Sequence, residues 1–366
     1  LWESLFALST VVATEHSSVG RVGPNYNSGA HCKEITLTGN DYDPSMIRYC
    51  IAYRKGEQLG EIGIEDISET LSRSDTFIWL ALYEPNEYLL ELAQREFDLH
   101  DLAIEDARRA HQRPKLEQYG STLFIVLKTA LLPEQQVQLG ETHMFVAPRF
   151  FMTVRHGPSV TYRNVRERLE TMPTRLARGP AMAAHAVMDF VVDNYGPIAT
   201  ALEDRFEQFE MDLFTGRYSR ESIERLYDLK RELLVLRGAA APVLDITDGL
   251  IRFHTDLIPK DFRVYFRDIH DHVIRLLASI DETREMLTAA MQVNLALVSV
   301  EQNESVRRLA GWGAIMAIPT VVFSLYGMNF KDMPELDSNY GYPVVLGAVA
   351  VVCFWLYRRL KHYGWL

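Results

Sequence analysis

Two sets of residues have types and spacing suited to chemistry. The first is acidic. Asp268, Asp271 and His272 stand at i, i+3 and i+4, which puts them on one face of a helix. Glu105 and Asp106 form a second acidic pair, and Asp193 lies in "VVDNYG". Carboxylates that converge can hold a divalent cation; facing Arg108, Arg109 or Arg267 they would instead be ordinary surface ion pairs. The second set is Gly327, Met328 and Asn329 within "YGMNF", which ends a run from Leu309 containing no Asp, Glu, Lys or Arg. An amide there either caps a helix C-terminus or offers oxygen to a passing ligand. The chain contains no His-Glu-x-x-His, no Gly-x-Ser-x-Gly and no Walker loop, so it is not expected to be a hydrolase or to be driven by ATP.

Those residues sit in two contrasting environments. Charged side chains make up 24% of the sequence and the formal net charge is -11, an average that by itself fits a soluble protein. The charges stop, however, at Arg308: Leu309–Phe330 and Ser338–Tyr357 hold none. Each run is about 20 residues, the length of helix that crosses a hydrocarbon core. Spans are expected at about 309–328 and 340–358, joined by a loop at about 329–339. Arg307 and Arg308 precede the first span, and Arg358, Arg359 and Lys361 follow the second. The connection "KDMPELD" sets Lys331 against Asp332, Glu335 and Asp337. Positive residues stay inside, so both termini should be cytoplasmic, with the short loop outside a plasma (inner) membrane. Trp312, Tyr326, Tyr340, Tyr342 and Tyr357 sit near the span ends, as interfacial aromatics do. Cys32, Cys50 and Cys353 give no disulfide framework. The basic stretch "ARRAHQRPK" lies in an acidic chain and lacks a paired aromatic platform, so no nucleic-acid partner is expected.

Four regions are expected: a poorly ordered or non-native extension at 1–45, an α/β cytosolic domain at 46–162, a helical region at 163–305, and a membrane domain at 306–366. "MIRYCIAYRKGEQLGEI" reads as two strands around a turn, Thr76–Tyr83 as a buried strand and "NEYLLELAQREF" as an amphipathic helix. "STLFIVLKTALL" and "ETHMFVAPRFFMTVRH" read as a strand meander. The helical region should break at "TGRYS" and near Pro259. From Asp261 to Tyr326 one stalk helix of about 100 Å is predicted. Its apolar seam would be Ile269, Val273, Leu276, Ile280, Leu287, Met291, Leu295 and Val298.

Within the first span Gly313, Ala317, Thr320 and Ser324 share a stripe, with Leu309 four residues before Gly313. Small residues at this spacing serve close helix packing; they would equally leave room in a pore for a hydrated ion. Pro319 should kink the span, and the carbonyl it frees would be available to the pore.

"YGMNF" followed at once by "KDMPEL", between two spans and before a basic tail, resembles the CorA family of magnesium transporters. "FDLHDLAIEDARRAHQRPKLEQYGSTLFIVLK" is similar to that family's cytosolic segment, and "VYFRDIHDHVIRLLASID" to the start of its stalk helix. The resemblance covers 46–366.

The resemblance implies a funnel-shaped homopentameric channel in lipid, with an α/β cytosolic domain, a long α-helical stalk and two C-terminal transmembrane helices. Mg2+, with Co2+ and Ni2+ as further candidates, would pass down the electrochemical gradient. Five Asn329 amides would receive the hydrated ion through its waters, while Gly327 turns the chain out of the helix and Met328 packs behind the ring. Asn303 is similar to a cytoplasmic-side asparagine ring, although an ideal helix puts it off the Leu309–Ser324 stripe. Leu309, with Met316 or Ala317, would form the hydrophobic constriction; Gly313 and Ala317 are smaller than the residues usual there. Glu335 would gather cations at the outer mouth. Asp106 and Glu105 of one subunit and Asp268 of its neighbour would share a regulatory Mg2+, with Asp193 at a second site. Two alternatives remain: a ZntB-like zinc transporter on the same fold, and a non-conducting membrane scaffold.

Overall fold

The computed structural model describes residues 42–214, 220–254, 257–328 and 340–366. The expected extension at the N-terminus, the break at "TGRYS", and the Asn329 and Glu335 assignments fall outside these residues.

The first two strands, β1 (Ile47–Arg54) and β2 (Glu57–Glu61), form the predicted hairpin. Lys55 and Gly56 turn it with φ of 54° and 86°, the left-handed angles that match the twist of paired strands. Gly56 is required there for a second reason: a Cβ would lie 2.0 Å from the Pro173 carbonyl oxygen. The chain continues through α1 (Ile67–Ser72), β3 (Thr76–Tyr83), α2 (Glu87–Phe97) and α3 (Asp101–Arg108). Asn86 caps α2 by accepting the Leu89 N–H at 2.9 Å, satisfying a donor that the first turn leaves free. Strands β4 (Lys115–Tyr119), β5 (Thr122–Leu131), β6 (Gln138–Val146) and β7 (Phe150–His156) complete a seven-stranded sheet, ordered β2-β1-β3-β7-β6-β5-β4. Among the described strands only β3 and β7 pair in parallel.

The pleat divides the core. Phe77, Trp79 and Ala81 of β3 point to one face, Ile78, Leu80 and Leu82 to the other. The second face is covered by apolar residues of α1, α2 and α3. The first is covered by α4 (Arg163–Glu170), α5 (Pro173–Leu176), α6 (Pro180–Asp193), α7 (Tyr195–Phe214), α8 (Arg220–Ala240) and α9 (Pro242–Arg252). A strand buried on both faces reads as a continuous apolar run, which is why residues 77–82 of β3 do not alternate.

Helix α10 (Arg263–Tyr326) follows a short 3-10 turn at Lys260–Phe262, and α11 (Gly341–His362) closes the described chain. At 1.5 Å per residue α10 runs about 96 Å. Phe266, Ile269, Val273, Leu277, Ile280 and Leu287 bury its first part against the helices of the sandwich. The seam is narrower than predicted. Leu276 and Met291 are only partly buried, and Leu295 is 63% exposed. The lower half of α10 and all of α11 carry apolar windows long enough to cross a membrane, and almost none of either window is buried within the chain.

Candidate functional site

The membrane-length part of α10 has two faces. Gly311, Ile315, Ile318, Pro319, Val322 and Tyr326 are buried or half-buried. Contacts on this side run to α11 and the segment after it: Trp312 lies 6.4 Å from Tyr357 between ring centroids, and a Cβ on Gly311 would meet Leu366 at 3.3 Å. Leu309, Gly313, Met316, Ala317, Thr320 and Ser324 are all exposed. At about 100° per residue these six lie on the side of the helix opposite to the first set. The small-residue stripe is therefore not what packs α10 on α11. A Cβ built on Gly313 would meet nothing within 4 Å. Thr320 does not offer its hydroxyl proton outward: Oγ1 donates to the Met316 carbonyl at 2.8 Å, leaving its lone pairs for water or ligand.

One expectation about this segment is corrected. The carbonyl that Pro319 leaves without a helix partner belongs to Ile315, and it faces α11, where the Cys353 thiol donates to it at 3.7 Å. It is committed between the two helices and does not serve the stripe. Gly327 keeps right-handed helical angles, φ -77° and ψ -10°, with its N–H on the Phe323 carbonyl at 3.0 Å. Helix α10 ends at Tyr326 with Gly327 as its C-cap, and the path of the chain after Met328 lies outside the described residues. Met328 follows, half exposed, and Asn303 sits on α10 with its side chain exposed.

The acidic residues sort into separate places. On α3, Glu105 pairs with Arg109 at 3.1 Å, as a surface pair one helical turn apart. Asp106 instead meets Lys115 of β4 at 2.7 Å, and the same ammonium holds Glu117 at 2.6 Å. Asp268 is near His272, with Nε2 3.7 Å from its carboxylate, and Asp193 lies 3.8 Å from His272 Nδ1. Within the single chain Asp106 is paired with Lys115, not with Asp268. Asp271 is exposed and stands outside the group around His272.

That group has a member which the sequence did not reveal. Asp189, Asp193 and His272 bring one ligand atom each to within 4.8 Å of one another. Asp189 precedes Asp193 by one turn on α6, so the i, i+4 carboxylates were a signal; only the fold brings them to α10. Burial pushes both carboxyls above their usual range, and at Asp193 the Asp189 charge adds to it. Asp189, Asp193, Arg168, Arg175 and His185 share the wall of a cavity of about 210 Å3. Burial pushes the His185 imidazole down to about 4. A cation placed among Asp189, Asp193 and His272 would offset the cost of holding two carboxylates together. An imidazole in the set suits Co2+, Ni2+ or Zn2+ as well as a magnesium ion that keeps its waters.

Comparison with known proteins agrees with this architecture. Residues 74–362 match the family described as "CorA-like Mg2+ transporter protein". The Bacillus subtilis protein YfjQ is 30% identical over 320 residues, 87% of this chain and 98% of that one. The cobalt/magnesium transport protein CorA of Thermotoga maritima is 27% identical over 334 residues, 89% of this chain and 93% of its own. The complete CorA structure from Methanocaldococcus jannaschii superposes with a TM-score of 0.73 at 21% identity, covering 87% of this chain and 99% of that one. The ZntB cytoplasmic domain from Vibrio parahaemolyticus shares the fold over 69% of this chain, with a TM-score of 0.56 at 9% identity. Matched nearly end to end by these relatives, and over most of its length by the family description, the chain belongs to the CorA-like Mg2+ transporter family of divalent-cation transporters.

Proposed function

We propose that the protein is a homopentameric, two-span channel of the plasma (inner) membrane that takes up Mg2+ down its electrochemical gradient. Co2+ and Ni2+ are the competing cargo. The observation that carries this reading is the exposed stripe Leu309, Gly313, Met316, Ala317, Thr320 and Ser324, turned away from α11. Five copies of α10 that meet along this side enclose a narrow path lined by small and hydroxyl side chains, closed by Leu309 and Met316 or Ala317 through dewetting. Asn303 adds an amide ring on the cytoplasmic side. Five Asn329 amides, supported by Gly327 and Met328, take the hydrated ion through its water shell, which binds Mg2+ without stripping it. Glu335 raises the local cation concentration at the mouth.

Cytosolic Mg2+ closes the path. Asp106 and Glu105 of one subunit and Asp268 of the next lose their mutual repulsion when a divalent cation lies between them, and Asp193 contributes to a second site beside His272. For Asp106 this means exchanging Lys115 for the cation. Side chains of both are about a quarter exposed, and partly exposed ion pairs exchange at little net cost.

Uptake into liposomes, measured side by side for Mg2+, Co2+, Ni2+ and Zn2+, tests the cargo. Mg2+ flux that the other ions inhibit supports the proposal. Flux of Zn2+ alone would transfer the chain to the zinc reading that the shared fold of ZntB allows, and no flux of any ion would leave a scaffold.

A further inference from the structure

The exit of α3 is gripped from inside the sheet. Glu141 of β6, 4% exposed, has four partners. Oε1 accepts the His111 backbone N–H at 2.6 Å and the Lys128 ammonium at 2.5 Å. Oε2 accepts the Gln112 N–H at 3.1 Å and lies 3.1 Å from His143 Nε2. One strand away His156 of β7 donates from Nε2 to the Ala107 carbonyl in the last turn of α3, at 2.9 Å. Its other nitrogen is 3.3 Å from the Glu84 carboxylate, whose second oxygen accepts the Gly157 N–H at 2.6 Å.

The gripped segment needs holding. His111 has φ +78°, a left-handed angle that a side chain other than glycine's rarely adopts without compensation. It lies between Asp106 at the end of α3 and Lys115, the ammonium that Asp106 now faces. The two amides that Glu141 accepts are consecutive and belong to neither α3 nor β4, so without the carboxylate they lose their acceptor and nothing in a regular element replaces it. Burial alone would raise the Glu141 carboxyl; the His143 and Lys128 contacts outweigh it and pull it down to about 2. The group is therefore a fixed charge at any physiological pH.

We propose that Glu141 is a positioning residue for the cytosolic cation sensor: by holding the His111 and Gln112 amides to the sheet, it sets where α3 presents the Asp106 carboxylate. This rests on Asp106 being a cation ligand, as proposed above. The carboxylate has no route to the cation itself. Its effect passes through five residues of backbone, from the gripped amides back to Asp106.

The test uses the full chain in detergent micelles, with Mg2+ as the probe. Three readouts are taken: amide hydrogen exchange in a peptide covering 109–114, the Mg2+ concentration giving half protection from protease, and the melting temperature without Mg2+. Glu141→Gln keeps the size and removes the charge. The pair Lys128→Met with Glu141→Leu removes both members of the buried ion pair, a change that often leaves stability intact. Asp106→Ala serves as reference for the sensor. Both altered proteins should exchange the 109–114 amides about tenfold faster and need about fivefold more Mg2+ for half protection, with the double variant, which leaves no unpaired Lys128 charge, melting above Glu141→Gln. Unchanged exchange would overturn the grip. Unchanged Mg2+ midpoints in both variants, while Asp106→Ala shifts its own, would overturn positioning and leave the sensor standing. An unchanged midpoint in Asp106→Ala would overturn the sensor and this proposal together.

Discussion

The Cys353 thiol of α11 donates to the Ile315 carbonyl of α10 at 3.7 Å, and Ile315 is the residue four before Pro319. Proline has no N–H to give that carbonyl. In hydrocarbon an unmet carbonyl costs several kcal/mol, so α11 supplies from outside what the α10 ladder lacks.

Replacing Cys353 with Val keeps the shape and removes the donor. The two-helix contact should weaken by about 0.6 kcal/mol, the average for interhelical hydrogen bonds in membranes and less than the cost of a bare carbonyl because the separated helices also find partners for it. Cys353→Ser, a stronger donor, should restore or exceed the wild-type value. Thermal unfolding of the detergent-solubilised protein reads both, and a Val variant equal to wild type would show that the contact contributes nothing.

Asn329→Ala should bring Mg2+ uptake into liposomes to background while the oligomer elutes unchanged, because the amide oxygens are lost and the packing of α10 is not. Wild-type flux in that variant would remove Asn329 from the filter.

Gly313 separates the two uses of the small-residue stripe. In a pore, Gly313→Leu narrows the path, so flux falls and the oligomer remains. If the stripe instead packs one copy of α10 tightly on another, the same change breaks the oligomer. The first outcome is expected, since the proposed path runs along this stripe. Size-exclusion and flux measured on one preparation distinguish them.

Asp268→Lys should imitate a bound cation across the subunit boundary, making protease resistance of the cytosolic part less dependent on Mg2+. Asp268→Ala should raise the Mg2+ needed for protection. If the proposed five sites each prefer the closed state modestly, their sum would bias the whole assembly. Wild-type Mg2+ dependence in both variants would place the sensor elsewhere.

Acid should act through Glu141. Its folded pKa is depressed from 4.5 to about 2, so its stabilising contribution is complete above pH 4.5 and is lost as pH falls toward 2. The difference amounts to about 3 kcal/mol. The melting temperature of the wild type should therefore fall more steeply below about pH 4.5 than that of the Lys128→Met, Glu141→Leu pair, measured in the same buffer series. Parallel curves would assign the acid limb to other groups.

What the sequence determined by itself were the features written in local pattern. Two uncharged runs of membrane length, a strand with no polar position from Phe77 through Leu82, the Lys55-Gly56 turn and the long period of α10 each follow from neighbours along the chain. Hydrophobic period and length need no tertiary partner to be read. The family resemblance was legible for the same reason, because "YGMNF" and "KDMPEL" are contiguous. What the tertiary structure decided were the meetings of distant residues. Asp189 and Asp193 reach His272 only when α6 lies along α10; the Ile315 carbonyl turns to Cys353 and not to the stripe; and Glu141, one acid among many in the sequence, becomes the anchor of His111 and Gln112. A carboxylate's role depends on which donors surround it and how much water they exclude, and those are fixed by packing between elements, not by spacing within one.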